Sequence, residues 1–156
     1  MASTLKFAHL LGMTLFLGSI FGHVFLAAMA GNVSDPGAQA ALINAKHVST
    51  NVMTLPGLAI AGLTGLALAW RRGLAGRPWL RIKVVLVMAA ALNGALFLAP
   101  LGARLAALAA AGGGSEMAAL GQRESVLGAV NLALILAVIV IAVVKPRFGR
   151  PVTANA

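Results

Sequence analysis

Four long apolar runs alternate with short polar segments along the chain. The runs cover roughly residues 6–30, 42–70, 80–101 and 125–145, and the segments between them hold glycine, proline and charged residues that interrupt helices. A helix needs about 20 apolar residues to cross a bilayer core of ~30 Å. The first run is too long for a secretory signal peptide and lacks a clear cleavage site. The pattern therefore predicts an all-α protein, a single-domain bundle of four transmembrane helices.

Composition supports a membrane environment. Hydrophobic residues make up 60% of the 156 residues and charged residues only 10%. A small soluble globule cannot hide so much apolar surface, because much of any small domain stays exposed. The chain has no cysteine, which excludes disulfides, thiolate metal sites and cysteine nucleophiles.

The charges predict an orientation in the membrane. One side of an alternating topology carries nine positive charges and no acid: Lys6, Arg71, Arg72, Arg77, Arg81, Lys83, Lys145, Arg147 and Arg150. The other side is neutral overall, with Lys46, Arg104 and Arg123 against Asp35, Glu116 and Glu124. The positive-inside rule then places both termini in the cytoplasm, as expected for a protein of the bacterial inner membrane. The positive charges lie at span ends without aromatic stacking partners, so we expect the lipid bilayer, and no nucleic acid, as their partner.

Small residues and one proline predict how the spans pack. Gly18 and Gly22 form a G-x-x-x-G pair in the first span, and Gly62 and Gly65 lie on a small-residue face of the second. Such faces allow close helix packing in lipid, and we expect packing within the chain rather than a dimer. Pro56 should kink the second span. The Ala-rich segment "ARLAALAAAGGGSEMAALGQRES" is interpreted as a long connection that could hold a short interfacial helix.

Each span contributes a strongly polar residue at a similar depth in the outer half of the bundle. These residues are His23 in the first span, His47 with Asn51 in the second, Asn93 in the third and Asn131 in the fourth. A single polar residue in a span commonly makes only an interhelical hydrogen bond. The matched depth across all four spans predicts one polar cavity or one bound group.

Two imidazoles from antiparallel neighbouring helices are the axial ligands that a six-coordinate b-type haem needs. The leading hypothesis is therefore a membrane redox or electron-transfer protein in which His23 and His47 bind haem b. Lys46 would pair with a propionate, and the three asparagines would surround the cofactor.

Other functions stay open. The two imidazoles could simply hydrogen-bond within a non-catalytic membrane subunit, or line a proton or substrate path. A copper site is less expected, although Met29 and Met53 could add soft ligands. A hydrolase is disfavoured, because no acid lies within any predicted span.

A second polar pair is expected at the cytoplasmic side. His9 lies about one turn inside the first span, and Lys83 about one turn inside the third. The pair could serve protons or a quinone from the membrane. Alternatively, Lys83 extends to the lipid headgroups.

Several short motifs resemble a known group of membrane proteins. "LKFAHLLGMTLFLGS", "TLPGLAIAGLTGLALAW" with "PWLRIKVVLVMAAALNG", and the closing "VIVIAVVKP" resemble the spans of an uncharacterised bacterial four-helix integral-membrane family. More distantly they resemble the copper-resistance CopD and HemJ groups. The HemJ resemblance implies haem association and protoporphyrinogen oxidation, with His9 and Lys83 matching its first-helix histidine and third-helix lysine. The CopD resemblance implies copper handling.

Overall fold

The computed structural model describes residues 2–71, 73 and 77–146, and within these ranges it contains helices and no strand. The α-helices are α1 (Ala2–Asn32), α2 (Pro36–Ser49), α3 (Leu55–Arg71), α4 (Pro78–Asn93), α5 (Ala99–Ala110) and α6 (Glu116–Val144). A π-helical turn over Thr50–Thr54 joins α2 to α3, and a second over Gly94–Leu98 joins α4 to α5. The predicted charges Arg72, Arg147 and Arg150 lie outside the described residues.

Four continuous helical spans are long and apolar enough to cross a membrane, which confirms the all-α four-span prediction. They are Ser3–Asn32, Pro36–Arg71, Pro78–Ala110 and Glu116–Val144. All four extend beyond at least one predicted boundary. The second begins early because the Asp35 carboxylate accepts a hydrogen bond from Ala38 N at 2.7 Å, with Pro36 in the first helical position.

The connection between the third and fourth spans is much shorter than predicted. It comprises only residues 111–115, where Gly112 and Gly113 adopt φ of 90° and 84°. Such positive φ values suit glycine. The Ala-rich residues on either side extend α5 and α6 instead of forming a connection, because alanine is the strongest helix former. Glu124 consequently lies in the third turn of α6 rather than in a loop.

The spans pack as two antiparallel hairpins. The first span contacts α2 and α3 of the second span, and α4 of the third span contacts α6. The hairpins meet chiefly through α2 and α5. This arrangement gathers the halves of the four spans that lie away from the N-terminus around one central space.

Glycine mediates the closest approach, but not at the predicted pair. A methyl group added at Gly12 would lie 2.6 Å from Ala61 N, and one at Gly57 would lie 2.7 Å from Phe16 N. By contrast, methyl groups at Gly18 and Gly22 would meet nothing within 4 Å among the described residues. The predicted packing role of Gly18 and Gly22 within the chain is therefore wrong.

The packing role predicted for Gly62 is also wrong, since a methyl group added there would meet nothing within 4 Å among the described residues. Its predicted companion Gly65 does pack, directly against the His9 ring, where an added methyl would lie 2.9 Å from Cε1. Only one side of the predicted small-residue face of the second span therefore faces a neighbouring helix.

The distribution of apolar and polar side chains is the reverse of that in a soluble protein. Many large apolar side chains are exposed, such as Phe21, Leu63 and Trp70, whereas the most buried side chain is Ser19, at 1% exposure. A soluble monomer would not leave so much contiguous apolar surface in water. Lipid is the solvent that suits this exterior.

Each π-helical turn precedes a proline. Leu55 N–H bonds to the Thr50 carbonyl just before Pro56, and Ala99 N–H bonds to the Gly94 carbonyl just before Pro100. Proline lacks an N–H and its ring clashes with the carbonyl four residues earlier. A wider turn at that carbonyl relieves the clash. The kink predicted at Pro56 thus takes the form of a π-helical turn, and a second one forms in the third span.

Candidate functional site

A cavity of about 380 Å³ lies between the four spans. Most of its wall is apolar, including Phe16 and Ile20 from α1, and small residues line the opposite side, among them Ala90, Gly94 and Gly128. Its polar side chains are His23, Lys46, His47, Thr50, Thr54, Glu124, Ser125 and Asn131. The volume is in the range of small-molecule sites. It would hold roughly a dozen water molecules at about 30 Å³ each.

Both π-helical turns contribute residues to this cavity wall. Thr50 and Thr54 come from the first turn, and Gly94 and Leu98 come from the second. A π-helical turn widens the helix locally and is frequent at functional sites. The turns that precede Pro56 and Pro100 therefore both lie at the cavity.

His23 is half-buried in the cavity wall and held by hydroxyl groups. Its Nε2 lies 3.4 Å from the Ser19 hydroxyl of the same helix and 3.4 Å from the Thr50 hydroxyl of the second span. Thr50 also donates to the Lys46 carbonyl at 3.1 Å, so its oxygen accepts from the imidazole N–H. These hydrogen bonds are near the long limit for such contacts.

His47 lines the same cavity and has a buried nitrogen with no partner. Its Nδ1 is inaccessible and makes no hydrogen bond to any described residue. Its Nε2 lies 3.4 Å from Asn51 Nδ2, which also donates to the His47 carbonyl at 3.2 Å. A buried polar atom without a partner is rare and costly. Where it lies the atom has no accessible surface, so the ring must turn before a ligand or a water in the cavity can reach it.

Lys46 forms an ion pair with Glu124 of α6 across the cavity wall. Both side chains are largely buried, with exposures of 14% and 19%. An ionisable pair at this depth of a membrane helix marks a functional site by default. Sequence reasoning missed Glu124 because it placed the start of the fourth span at residue 125. The helix-forming stretch "SEMAALGQRES" was the signal that could have located it.

A cluster of hydroxyl groups behind His23 was also missed. Ser19 lies within hydrogen-bond distance of three groups: His23 Nε2, the Ser49 hydroxyl at 3.2 Å and the Thr54 hydroxyl. One hydroxyl offers one donor and two acceptor positions, so Ser19 can satisfy all three. Ser49 and Thr54 are five residues apart, the span of a π-helical hydrogen bond, so α-helical spacings of three and four do not pair them.

The asparagines predicted to surround a cofactor have three different positions. Asn131 is buried, at 4% exposure, and lines the cavity. Asn93 donates to the Asn131 side-chain oxygen at 3.3 Å and to the Leu127 carbonyl at 3.1 Å, but does not line the cavity. Asn51 is exposed and reaches the site only through His47.

The chain matches the model of one known protein family over nearly all of its length. Residues 3–146 match the model of DUF2269, described as a predicted integral membrane protein family. The chain belongs to this DUF2269 family. No curated protein and no solved structure matches it. The more distant resemblance to the CopD and HemJ groups stays a prediction.

The second predicted polar pair of this DUF2269 chain, His9 and Lys83, has separate surroundings. His9 Nδ1 lies 3.0 Å from the Ala61 carbonyl and 3.2 Å from the Thr64 hydroxyl, so it fastens α1 to α3. Lys83 is half-buried in the second turn of α4. Their joint role with protons or quinone stays a prediction.

The residues that line the cavity of the DUF2269 chain include two histidines. Within the described ranges, no three histidine, cysteine or acidic side chains come together as a metal cluster. The soft ligands considered for copper, Met29 and Met53, do not line the cavity. The cavity therefore offers two imidazoles and one carboxylate, that of Glu124, which is paired with Lys46, in a mostly apolar wall.

Proposed function

We propose that this DUF2269 protein binds a b-type haem in the central cavity and transfers electrons within the bacterial inner membrane. His23 and His47 would be the axial ligands, and both termini would face the cytoplasm. The observation that carries the proposal is that two imidazoles from antiparallel helices line one cavity, while Nδ1 of His47 is buried without a partner. When bound, the haem supplies one-electron redox chemistry.

The residues around His23 allow it to become a ligand. Its hydroxyl contacts are both 3.4 Å long and weak. If the ring turns away, Thr50 keeps its bond to the Lys46 carbonyl, and Ser19 keeps its bonds to Ser49 and Thr54. No buried hydroxyl is therefore left without a partner, so ligation costs little in the surrounding structure.

The residues around His47 can orient its ring. A ligating histidine normally donates its other N–H to a neighbouring oxygen, which fixes the tautomer. If Nδ1 is the ligand atom, the proton lies on Nε2, and the Asn51 amide turns so that its oxygen accepts this proton. Asn51 is already 3.4 Å away, and this rotation gives up its 3.2 Å hydrogen bond to the His47 carbonyl. Lys46, on the same wall, would pair with a propionate.

The test is a reduced-minus-oxidised absorption spectrum of the purified protein, expressed with ample haem. Wild type should give a b-type signal, which His23→Ala and His47→Ala should each abolish. His9→Ala is the matched control, because it removes an imidazole that lies outside the cavity. Helical content by circular dichroism would show that each variant is folded. A folded wild type without haem, or a signal that survives both cavity variants, would overturn the proposal.

The second candidate is a non-catalytic membrane subunit. It is favoured by the hydrogen bonds that His23 makes to Ser19 and Thr50, because the bond to Thr50 links the first two spans. The same spectrum separates the two functions. A colourless folded wild type, together with a lower stability of the His23→Ala variant, would support the non-catalytic subunit.

A further inference from the structure

A second recess lies on the outside of the bundle, between α5 and α6. It is an open groove of about 770 Å³. Its apolar part includes Leu96, Phe97 and Val126, which are exposed by 61%, 56% and 58%. Arg104 and Arg123 line the same groove. In a chain that spans a bilayer, the exposed apolar part faces hydrocarbon.

The polar and apolar parts of the groove are separated along the membrane normal. On the third span, Leu96 lies eight residues before Arg104, about 12 Å deeper at 1.5 Å per residue. α6 runs in the opposite direction, and Val126 lies about one turn deeper than Arg123. Both helices therefore place a guanidinium towards the end of the bundle and apolar side chains towards its middle.

The arginines are available to a ligand. Arg123 is exposed and makes no hydrogen bond or ion pair within the part of the chain that the structure describes. Arg104 pairs with Glu116 at 2.8 Å, but both side chains are about 60% exposed, so this pair is weak and readily exchanged. Two arginines against one carboxylate leave the groove positively charged.

We propose that this groove binds an anionic phospholipid. The phosphate would lie against Arg123 and Arg104, since guanidinium groups bind phosphate with two parallel hydrogen bonds. One acyl chain would lie along Phe97, Leu96 and Val126. A zwitterionic lipid offers the same phosphate but brings a cation to the arginines, so the groove selects lipids with net negative charge.

The experiment uses the full-length protein in lipid nanodiscs of four parts phosphatidylcholine to one part phosphatidylglycerol, with a photoreactive group on one acyl chain. In parallel samples this group is carried by phosphatidylglycerol or by phosphatidylcholine. Mass spectrometry then measures labelling of the groove peptides. Each arginine near a headgroup contributes a preference of about five-fold. We expect phosphatidylglycerol to label the groove at least about five-fold more per mole of probe.

The variant Arg123→Gln should lower that preference about five-fold at the groove. Arg71→Gln is the matched control, because Arg71 is also exposed but lies at the other end of the bundle, and it should leave groove labelling unchanged. Equal labelling by the two lipids in wild type, or an unchanged preference in Arg123→Gln, would overturn the proposal. Protection of the groove by a second copy of the chain, seen as protein-to-protein crosslinks there, would also overturn it.

Discussion

The ion pair between Lys46 and Glu124 gives the sharpest test of how the cavity is held. Glu124→Gln keeps the shape of the side chain but removes the charge that compensates Lys46. Breaking a fully buried pair costs about 3–5 kcal/mol, whereas an exposed pair contributes about 0–1 kcal/mol. With exposures of 14% and 19%, this pair is near the buried limit but not at it. We expect Glu124→Gln to lower the free energy of unfolding by about 2–3 kcal/mol.

The same helix contains a matched control. Glu116 pairs with Arg104 at 2.8 Å, with side-chain exposures of 60% and 61%. Glu116→Gln therefore makes the identical chemical change in an exposed pair, and we expect it to alter stability by less than about 0.5 kcal/mol. Unfolding of each purified variant in mixed micelles, followed by circular dichroism, measures both effects.

A double variant distinguishes the loss of the attraction between Lys46 and Glu124 from the cost of leaving Lys46 charged and unpaired. Lys46→Met with Glu124→Leu removes both charges and fills the space with apolar atoms. Replacing a buried pair in this way is often neutral or stabilising, so we expect the double variant to be more stable than Glu124→Gln alone. Equal costs for Glu124→Gln and Glu116→Gln, or a double variant that is the least stable of the three, would show that Lys46 and Glu124 do not form a buried pair.

Three further substitutions test the packing around the site. Gly12→Ala should cost about 1–3 kcal/mol, because the helices must separate by about 0.8 Å to accept its methyl, whereas Gly18→Ala should be neutral or slightly stabilising; equal melting temperatures would contradict this. Ser19→Ala should cost about 1–3 kcal/mol, and Thr14→Ala, at an exposed hydroxyl, almost nothing; denaturant midpoints would show the difference. Asn131→Ala should cost about 0.6–1.7 kcal/mol by the same assay, and no change would mean that its interhelical hydrogen bond is dispensable.

The fold was predictable because its main determinant is local. Four apolar runs of about 20 residues identify four spans without knowledge of any contact. The ends of the spans were not predictable from hydropathy, since helix propensity, caps and turn glycines determine them. The Ala-rich stretch before Gly112 remains helical because alanine has a high helix propensity. The N-cap at Asp35 starts the second span earlier than hydropathy predicts.

The candidate site was only partly predictable. Matched depth predicted one cavity for His23, His47, Asn93 and Asn131, and all of these except Asn93 line it. Lys46, expected beside His47, lines it too. Depth does not fix which way a side chain points, and Asn51 is exposed although it lies at the right level. Glu124 was missed because its charge suggested a loop. The sequence alone does not show that it pairs with Lys46 across the cavity.

The π-helical turns explain why the direction of side chains is harder to predict than their depth. Each turn fits one extra residue, and one residue corresponds to a rotation of about 100° in an α-helix. A face assigned by α-helical periodicity before Thr50 is therefore rotated by about that angle after Thr54. Within α3, Gly57 and Gly65 contact α1, whereas Gly62 lies on a different face of the same helix. The same extra residue brings Thr54 to Ser19 and widens the helix beside the cavity. Proline signals that the helix must deviate, but only the packed bundle determines that it does so by a π-helical turn, and this choice positions the site.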